Sequence, residues 1–146
     1  MTGGSQGGGL SLATAALDSR IALCAPDIAF LCNWDKYFQA TDWPEMNAWV
    51  DAEPHRTWST TLRTLSYFDT MNMADRIQCP VLMGLGLQDD VCPAATIFAV
   101  YNRINVAKEY YVYPYAKHSV GVSHAQTQSD WIDRHFLTES GESTRK

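Results

Sequence analysis

Seven residues near the start of the chain, Gly3-Gly4-Ser5-Gln6-Gly7-Gly8-Gly9, constrain the fold more than any other stretch. Gly3-x-Ser5-x-Gly7 fits the nucleophile elbow, a strand-to-helix turn that holds a serine in a strained, exposed position. Backbone passing so close to its neighbours leaves no room for a Cβ, and the turn visits φ/ψ regions that only glycine adopts cheaply. An elbow demands a helix behind it. Residues 10–17, rich in Ala and Leu with no breaker, supply one. The N-terminus of that helix would aim N–H groups and the positive dipole end at an oxyanion forming on Ser5. A phosphate cradle is the competing reading of the same glycines. It is the weaker one, because Leu10-Ser11 stands where a P-loop needs Lys-Ser/Thr, and Asp18 and Asp27 fit the acid of a dinucleotide site poorly.

With 146 residues the chain has the length of one domain, and a formal charge of −5 argues against a nucleic-acid partner. No apolar run approaches the roughly 18 residues that span a bilayer, so no membrane partner is expected. Cys24, Cys32, Cys79 and Cys92 show neither C-x-x-C nor metal-ligand spacing, which predicts reduced core thiols, no bound metal and a cytoplasmic location. Only Met1-Thr2 precede the motif, too little for the strand an elbow needs. That shortage leaves two alternatives: the chain is a piece of a longer one, or the elbow reading is wrong.

Residues 21–25 form a short continuous apolar run, predicting a strand buried on both faces of a parallel sheet and ended by Pro26-Asp27. Residues 30–60 carry Trp34, Tyr37, Phe38, Trp43, Trp49 and Trp58 among polar residues, the pattern of a helical insertion. Partial helix over 60–77 leads to a second buried strand, 81–86, and then Gln88-Asp89-Asp90-Val91-Cys92-Pro93. An acid just past a parallel strand stands where α/β folds build their sites. A helix over 96–102, a third strand over 109–113, a loop with His118 and an amphipathic helix over 125–136 follow. The domain is expected to cover 1–137, with a polar tail over 138–146.

Ser5, Asp89 and His118 therefore fall in the order Ser…Asp…His, each after a strand-like segment, which is the α/β-hydrolase order. Serine attacks only when an imidazole takes its proton, and a carboxylate must fix the tautomer of that imidazole. Asp90 competes with Asp89 for the acid. His55, His124 and His135 compete with His118, which alone has the strand-then-loop setting.

Gly3-Gly4-Ser5-Gln6-Gly7-Gly8-Gly9, Thr64-Leu65-Ser66-Tyr67-Phe68-Asp69, Gly86-Leu87-Gln88-Asp89-Asp90-Val91-Cys92-Pro93 and Phe98-Ala99-Val100-Tyr101-Asn102 together resemble motifs of one family, the acetyl xylan esterase / cephalosporin C deacetylase family (carbohydrate esterase family 7). The resemblance runs from Gly3 to about Phe136. It implies an α/β fold, the C-terminal half of an α/β-hydrolase with a mostly parallel sheet and flanking helices. It further implies Ser5 as nucleophile, Asp89 as acid, His118 as base, the Gln6 N–H as an oxyanion donor, and Phe30 and Val91 as walls of a small acyl pocket. A small acetylated sugar or ester is the implied substrate, with no cofactor and with a homo-oligomer in the full-length form. Two positions depart from the pattern: Pro93-Ala94-Ala95-Thr96 replaces Pro-Pro-Ser-Thr, and Lys117-His118-Ser119 replaces Gly-His-Glu.

Overall fold

The structure is a computed structural model, and it describes the backbone of residues 1–142. Four parallel strands, β1 (Thr2–Gly4), β2 (Ala25–Asp27), β3 (Val81–Gly86) and β4 (Lys108–Tyr113), lie side by side in chain order. Six helices connect or cover them: α1 (Gln6–Leu17), α2 (Trp34–Ala40), α3 (Pro44–Asp51), α4 (Trp58–Leu65), α5 (Ala94–Arg103) and α6 (Val122–Glu142). Parallel strands cannot be joined by tight turns, so each crossover leaves the sheet and returns along one of its faces.

Every residue of β3 is buried, and its side chains alternate between two cores. Val81, Met83 and Leu85 join Leu12 and Ala15 of α1 and Ile97 and Val100 of α5. Leu82 points the other way, with Ala25 and Trp131 of α6. Burying one such aliphatic side chain stabilises the fold by roughly 1.5–3 kcal/mol, which is why a continuous apolar run reads as a strand covered on both sides. Polar ties fix the ends. Lys108 donates to the Tyr101 and Ile104 carbonyls at the end of α5, both at 2.8 Å, and the Trp131 indole donates to Glu109 at 2.8 Å.

Three expectations shift. The strand before the elbow is present: Thr2–Gly4 form β1 and pair with Ala25–Asp27, the motif's own glycines supplying it. The strand expected at 21–25 begins at Ala25 and runs through Pro26. Proline is tolerated because the ladder to β3 is broken there, with Asp27↔Gly84 the register pair of these two strands and Cys24↔Val81 an isolated bridge. The helix expected from residue 10 begins at Gln6 and takes the glycines into its first turn. A Cβ at Gly8 would stand 2.8 Å from the Asp27 carbonyl oxygen, and one at Gly9 would run into that of Phe30. The glycines let α1 lie against the segment after β2, not loosen the chain.

The partial helix expected over 60–77 is α4 followed by 3₁₀ turns at Ser66–Phe68, Thr70–Asn72 and Ala74–Arg76. The aromatic insertion forms a connected ring stack in which Phe30 meets Trp34, Tyr37 and Trp43 edge-on at 5.2–5.5 Å between centroids. All four cysteines are free and buried. Of the stretch read as a polar tail, 138–146, the backbone to Glu142 continues α6, and 143–146 lie outside the described residues.

Candidate active site

The turn between β1 and α1 puts Ser5 at φ 54°, ψ −120°, outside the regular regions and without a side-chain cap on the helix. Such a conformation persists only where its surroundings over-determine it. Ser5 N–H donates to the Asp27 carbonyl at 3.0 Å, while the Ser5 carbonyl accepts from Gly9 N–H at 3.1 Å and Phe30 N–H at 2.9 Å. Gly3 is needed because a Cβ there would stand 2.6 Å from the carbonyl group of Gly7. The side chain of Ser5 is thereby pushed clear of its own helix.

Asp89 follows β3 in a tight turn whose N–H groups point back at its carboxylate. Val91 N–H and Cys92 N–H donate to Oδ1 at 2.9 and 2.8 Å. The Asp89 side chain is fully buried, and its remaining partner is His118, whose Nδ1 lies 2.9 Å from Oδ2 and 3.1 Å from Oδ1. A carboxylate only accepts, so Nδ1 carries the proton and donates it. Nε2 is then the bare nitrogen, and it lies 2.9 Å from Ser5 Oγ. The Ser5 hydroxyl can donate to it, the alignment required for an imidazole to remove that proton. Cys92 adjoins both groups: burial pushes its thiol up to about 12, the Asp89 charge adds to this, and the Ser5 hydroxyl works against it.

The three residues set in order by the sequence are thus joined end to end. Asp90 is outside the line; its carbonyl accepts from the Thr41 hydroxyl. Gln6 opens α1, so its N–H belongs to the first turn, where no carbonyl inside the helix can take it. Phe30 meets Ser5 through its backbone, and Val91, 45 % exposed, meets Asp89 through its own. A cavity of about 760 Å³ lies elsewhere: Trp43, Trp49, His55, Arg56 and Leu65 are among the residues that line it, and Ser5, Phe30 and Val91 are not. Sequence reasoning quoted Asp69 in a motif but missed its role: it accepts from the N–H groups of Asn33, Trp34 and Met71 at 2.8–2.9 Å and ties the insertion to the 3₁₀ turns. The motif names the aspartate, but nothing local to it points to N–H donors 35 and 36 positions back along the chain.

A parallel sheet in chain order, helices on both faces and a serine on a strained strand-to-helix turn define the class: this is an α/β-hydrolase fold. A family profile described as Acetyl xylan esterase (AXE1) matches residues 1–135, and the chain belongs to that family. It is similar to the acetyl xylan esterase from Paenibacillus sp. R4, with 41% identity and a TM-score of 0.84 over 90% of this chain and 43% of that one. Acetyl xylan esterase 1 from Thermoanaerobacterium sp. JW/SL YS485 matches with 33% identity and a TM-score of 0.83, covering 92% of this chain and 44% of that one. Acetyl esterase Axe7A of Xylanibacter ruminicola is 35% identical over 135 residues, 90% of this chain and 30% of that protein. The chain therefore spans less than half the length of these relatives.

Proposed function

We propose that this chain carries the catalytic corner of a serine esterase that removes acetyl groups from small acetylated carbohydrates, as an acetyl xylan esterase or cephalosporin C deacetylase would. The observation that carries the reading is the unbroken line from Ser5 Oγ to His118 Nε2 and from His118 Nδ1 to the buried Asp89 carboxylate. Ser5 Oγ attacks the ester carbonyl while His118 Nε2 takes its proton. The carbonyl oxygen becomes an oxyanion, held by the Gln6 N–H at the start of α1. Collapse breaks the bond to the sugar oxygen, which takes the proton from His118 and leaves as the sugar hydroxyl. Water then enters, gives a proton to His118 and attacks the acyl-enzyme; acetate leaves and Ser5 recovers its proton. Asp89 stays ionised and stabilises the imidazolium at both stages. Phe30 and Val91 limit the acyl group to acetyl. The protein works in the cytoplasm, without a cofactor, and the full-length form is a homo-oligomer.

A fluorophosphonate probe tests this. Ser5 is expected to be the residue labelled, with labelling lost in Ser5→Ala and sharply reduced in His118→Ala; full labelling of Ser5→Ala would sink the assignment.

A second reading has an observation of its own. β1 is three residues long and forms an edge of the sheet beside the candidate nucleophile. An uncovered edge beside a buried core is a site for pairing with further chain. Residues 1–146 alone are then inactive on acetyl esters and bind a hydrophobic dye, aggregate or assemble with a partner. A soluble monomer with a cooperative melt and Ser5-dependent turnover of 4-nitrophenyl acetate would refute this.

A further inference from the structure

One aspartate–histidine pair, its histidine buried and its aspartate partly so, has no part in the proposed chemistry. His124, in the first turn of α6, is buried. Its Nε2 lies 2.7 Å from Asp27 Oδ1, and its Nδ1 lies 2.8 Å from the Tyr113 hydroxyl. The carboxylate can only accept, so Nε2–H donates to Asp27 and the Tyr113 hydroxyl donates to Nδ1. Burial, reinforced by the negative Asp27, pushes the Tyr113 phenol above its ordinary range and keeps on it the proton it donates. Gln128, one turn further along α6, donates to the Ala25 carbonyl at 2.8 Å and to Asp27 Oδ2 at 3.3 Å. β3 runs between the partners, and Gly84 is what lets them meet. A Cβ there would stand 2.5 Å from Asp27 Oδ1 and 2.6 Å from His124 Nε2.

Each end of this chain of hydrogen bonds holds one side of the candidate active site. At one end, the Asp27 carbonyl accepts the Ser5 N–H at 3.0 Å, and Phe30, three residues on, donates to the Ser5 carbonyl at 2.9 Å. Between and beyond them Ile28 and Leu31 sit at φ 40° and 61°, conformations that bulky side chains rarely adopt. That segment does not hold itself by local preference; something must pin it. At the other end, the Tyr113 carbonyl accepts from Leu87 N–H and Ala116 N–H, both at 3.1 Å, and Gln88 N–H donates to the Ala116 carbonyl at 3.0 Å. Tyr113 is thus the root of both loops, the one leading to Asp89 and the one leading to His118.

We propose that His124 is a positioning residue for ester hydrolysis: by tying Asp27 to Tyr113 it sets the separation of Ser5 Oγ from His118 Nε2. The inference rests on the Ser5–His118–Asp89 reading above. A histidine acting this way affects the chemical step more than substrate binding. Misplacement of a reacting group by about 1 Å costs on the order of 10²-fold in rate.

The test is steady-state hydrolysis of 4-nitrophenyl acetate by the protein in its active form, with kcat and KM separated and folding followed by thermal melting. His124→Phe, which keeps the ring volume and loses both hydrogen bonds, is expected to lower kcat about 10²-fold while KM moves by less than about threefold. His124→Gln, whose amide can still donate to Asp27, should recover about tenfold of that loss. Tyr113→Phe should lower kcat without unfolding the protein. A folded His124→Phe with the parent kcat overturns the proposal, as does equal damage in His124→Phe and His124→Gln with KM raised in both. Should His124→Phe fail to fold, Tyr113→Phe decides, and a parent-like kcat there overturns the proposal too. Undiminished turnover in Ser5→Ala would sink the triad reading, and this inference with it. Ser5-dependent turnover with normal kcat in His124→Phe overturns this inference alone.

Discussion

Among the described residues, two aspartate–histidine pairs are built from the same groups at nearly the same distance. In Asp89–His118 the contact is 2.9 Å, and in Asp27–His124 it is 2.7 Å. They differ in what the second ring nitrogen meets. His118 offers Nε2 to a serine hydroxyl on a strained turn, with its side chain 28% exposed. His124 offers Nδ1 to a phenol rooted in β4, with its side chain 1% exposed. An imidazole poised on a carboxylate is a proton carrier only if its free nitrogen faces a group that gains by losing a proton, with room for substrate. Sealed against tyrosine, the same pair is a strut.

The largest test of that contrast is to remove each component of the Ser5-facing line. His118→Ala should lower kcat by about 10⁶, as Ser5→Ala should, because the groups act as a unit. Asp89→Asn leaves the shape intact but favours the wrong tautomer of His118, and a loss of about 10⁴ is expected. Turnover of 4-nitrophenyl acetate measures both. Comparable losses in His118→Ala and His124→Phe would erase the distinction between the two pairs.

How far this contrast was readable beforehand depended on distance along the chain. Ser5 announces itself by its glycines, and Asp89 and His118 by following strand-like runs. β3 was legible to the residue, because a six-residue apolar run covered on both faces has few alternatives. β2 was not. Pro26 reads as a terminator, and only the sheet shows that its missing N–H falls where the ladder to β3 is interrupted. The start of α1 was hidden for the opposite reason: glycines that suit a loop are there to let a helix approach Asp27 and Phe30. His124 was weighed only as a rival base. Its partner Asp27 lies 97 positions away, and no local pattern predicts such a pairing.

Two glycines of β3 allow the pairs to be disturbed one at a time. Gly84→Ala drives a methyl into Asp27 and His124, whereas Gly86→Ala drives one into the Ala116 and Lys117 carbonyls, immediately before His118. Each overpacks a tight site and should cost about 1–3 kcal/mol in thermal or urea unfolding. Beyond that shared cost, Gly86→Ala displaces the His118 loop directly and should lower kcat more than Gly84→Ala does. The reverse order would mean that the sealed pair governs the geometry of Ser5 and His118 more tightly than the loop carrying His118 itself.

Phe30 joins the Ser5 backbone to the aromatic stack of the insertion, so its side chain can be cut back without touching either pair. Phe30→Ala should widen acyl tolerance. Relative kcat/KM for butyrate over acetate esters is expected to rise by about tenfold, the scale of a methylene or two in an apolar pocket. An unchanged ratio would remove Phe30 from the acyl wall while leaving the Ser5–His118 line untouched.

The smallest expected effect uses the buried thiols as reporters of the two sides. Cys92 lies beside Asp89 and Ser5, and Cys24 immediately precedes β2, the strand that ends in Asp27. Burial is the main cause that pushes both thiols from 9.0 up to about 12. A folded-state value raised above the unfolded one favours folding fully below pH 9, where both states keep the proton. Above it the unfolded chain ionises first, so stability should fall progressively between pH 9 and about 12. Melting temperature against pH measures the decline, and Cys24→Ala or Cys92→Ala should each make it shallower. Iodoacetamide then separates the sides, since only an exposed thiolate reacts. The Ser5-facing side is the more open one, so Cys92 should be alkylated before Cys24 as the pH rises, read by mass spectrometry. Cys24 reacting first would mean that the strut beside β2 opens more readily than the site it is proposed to hold.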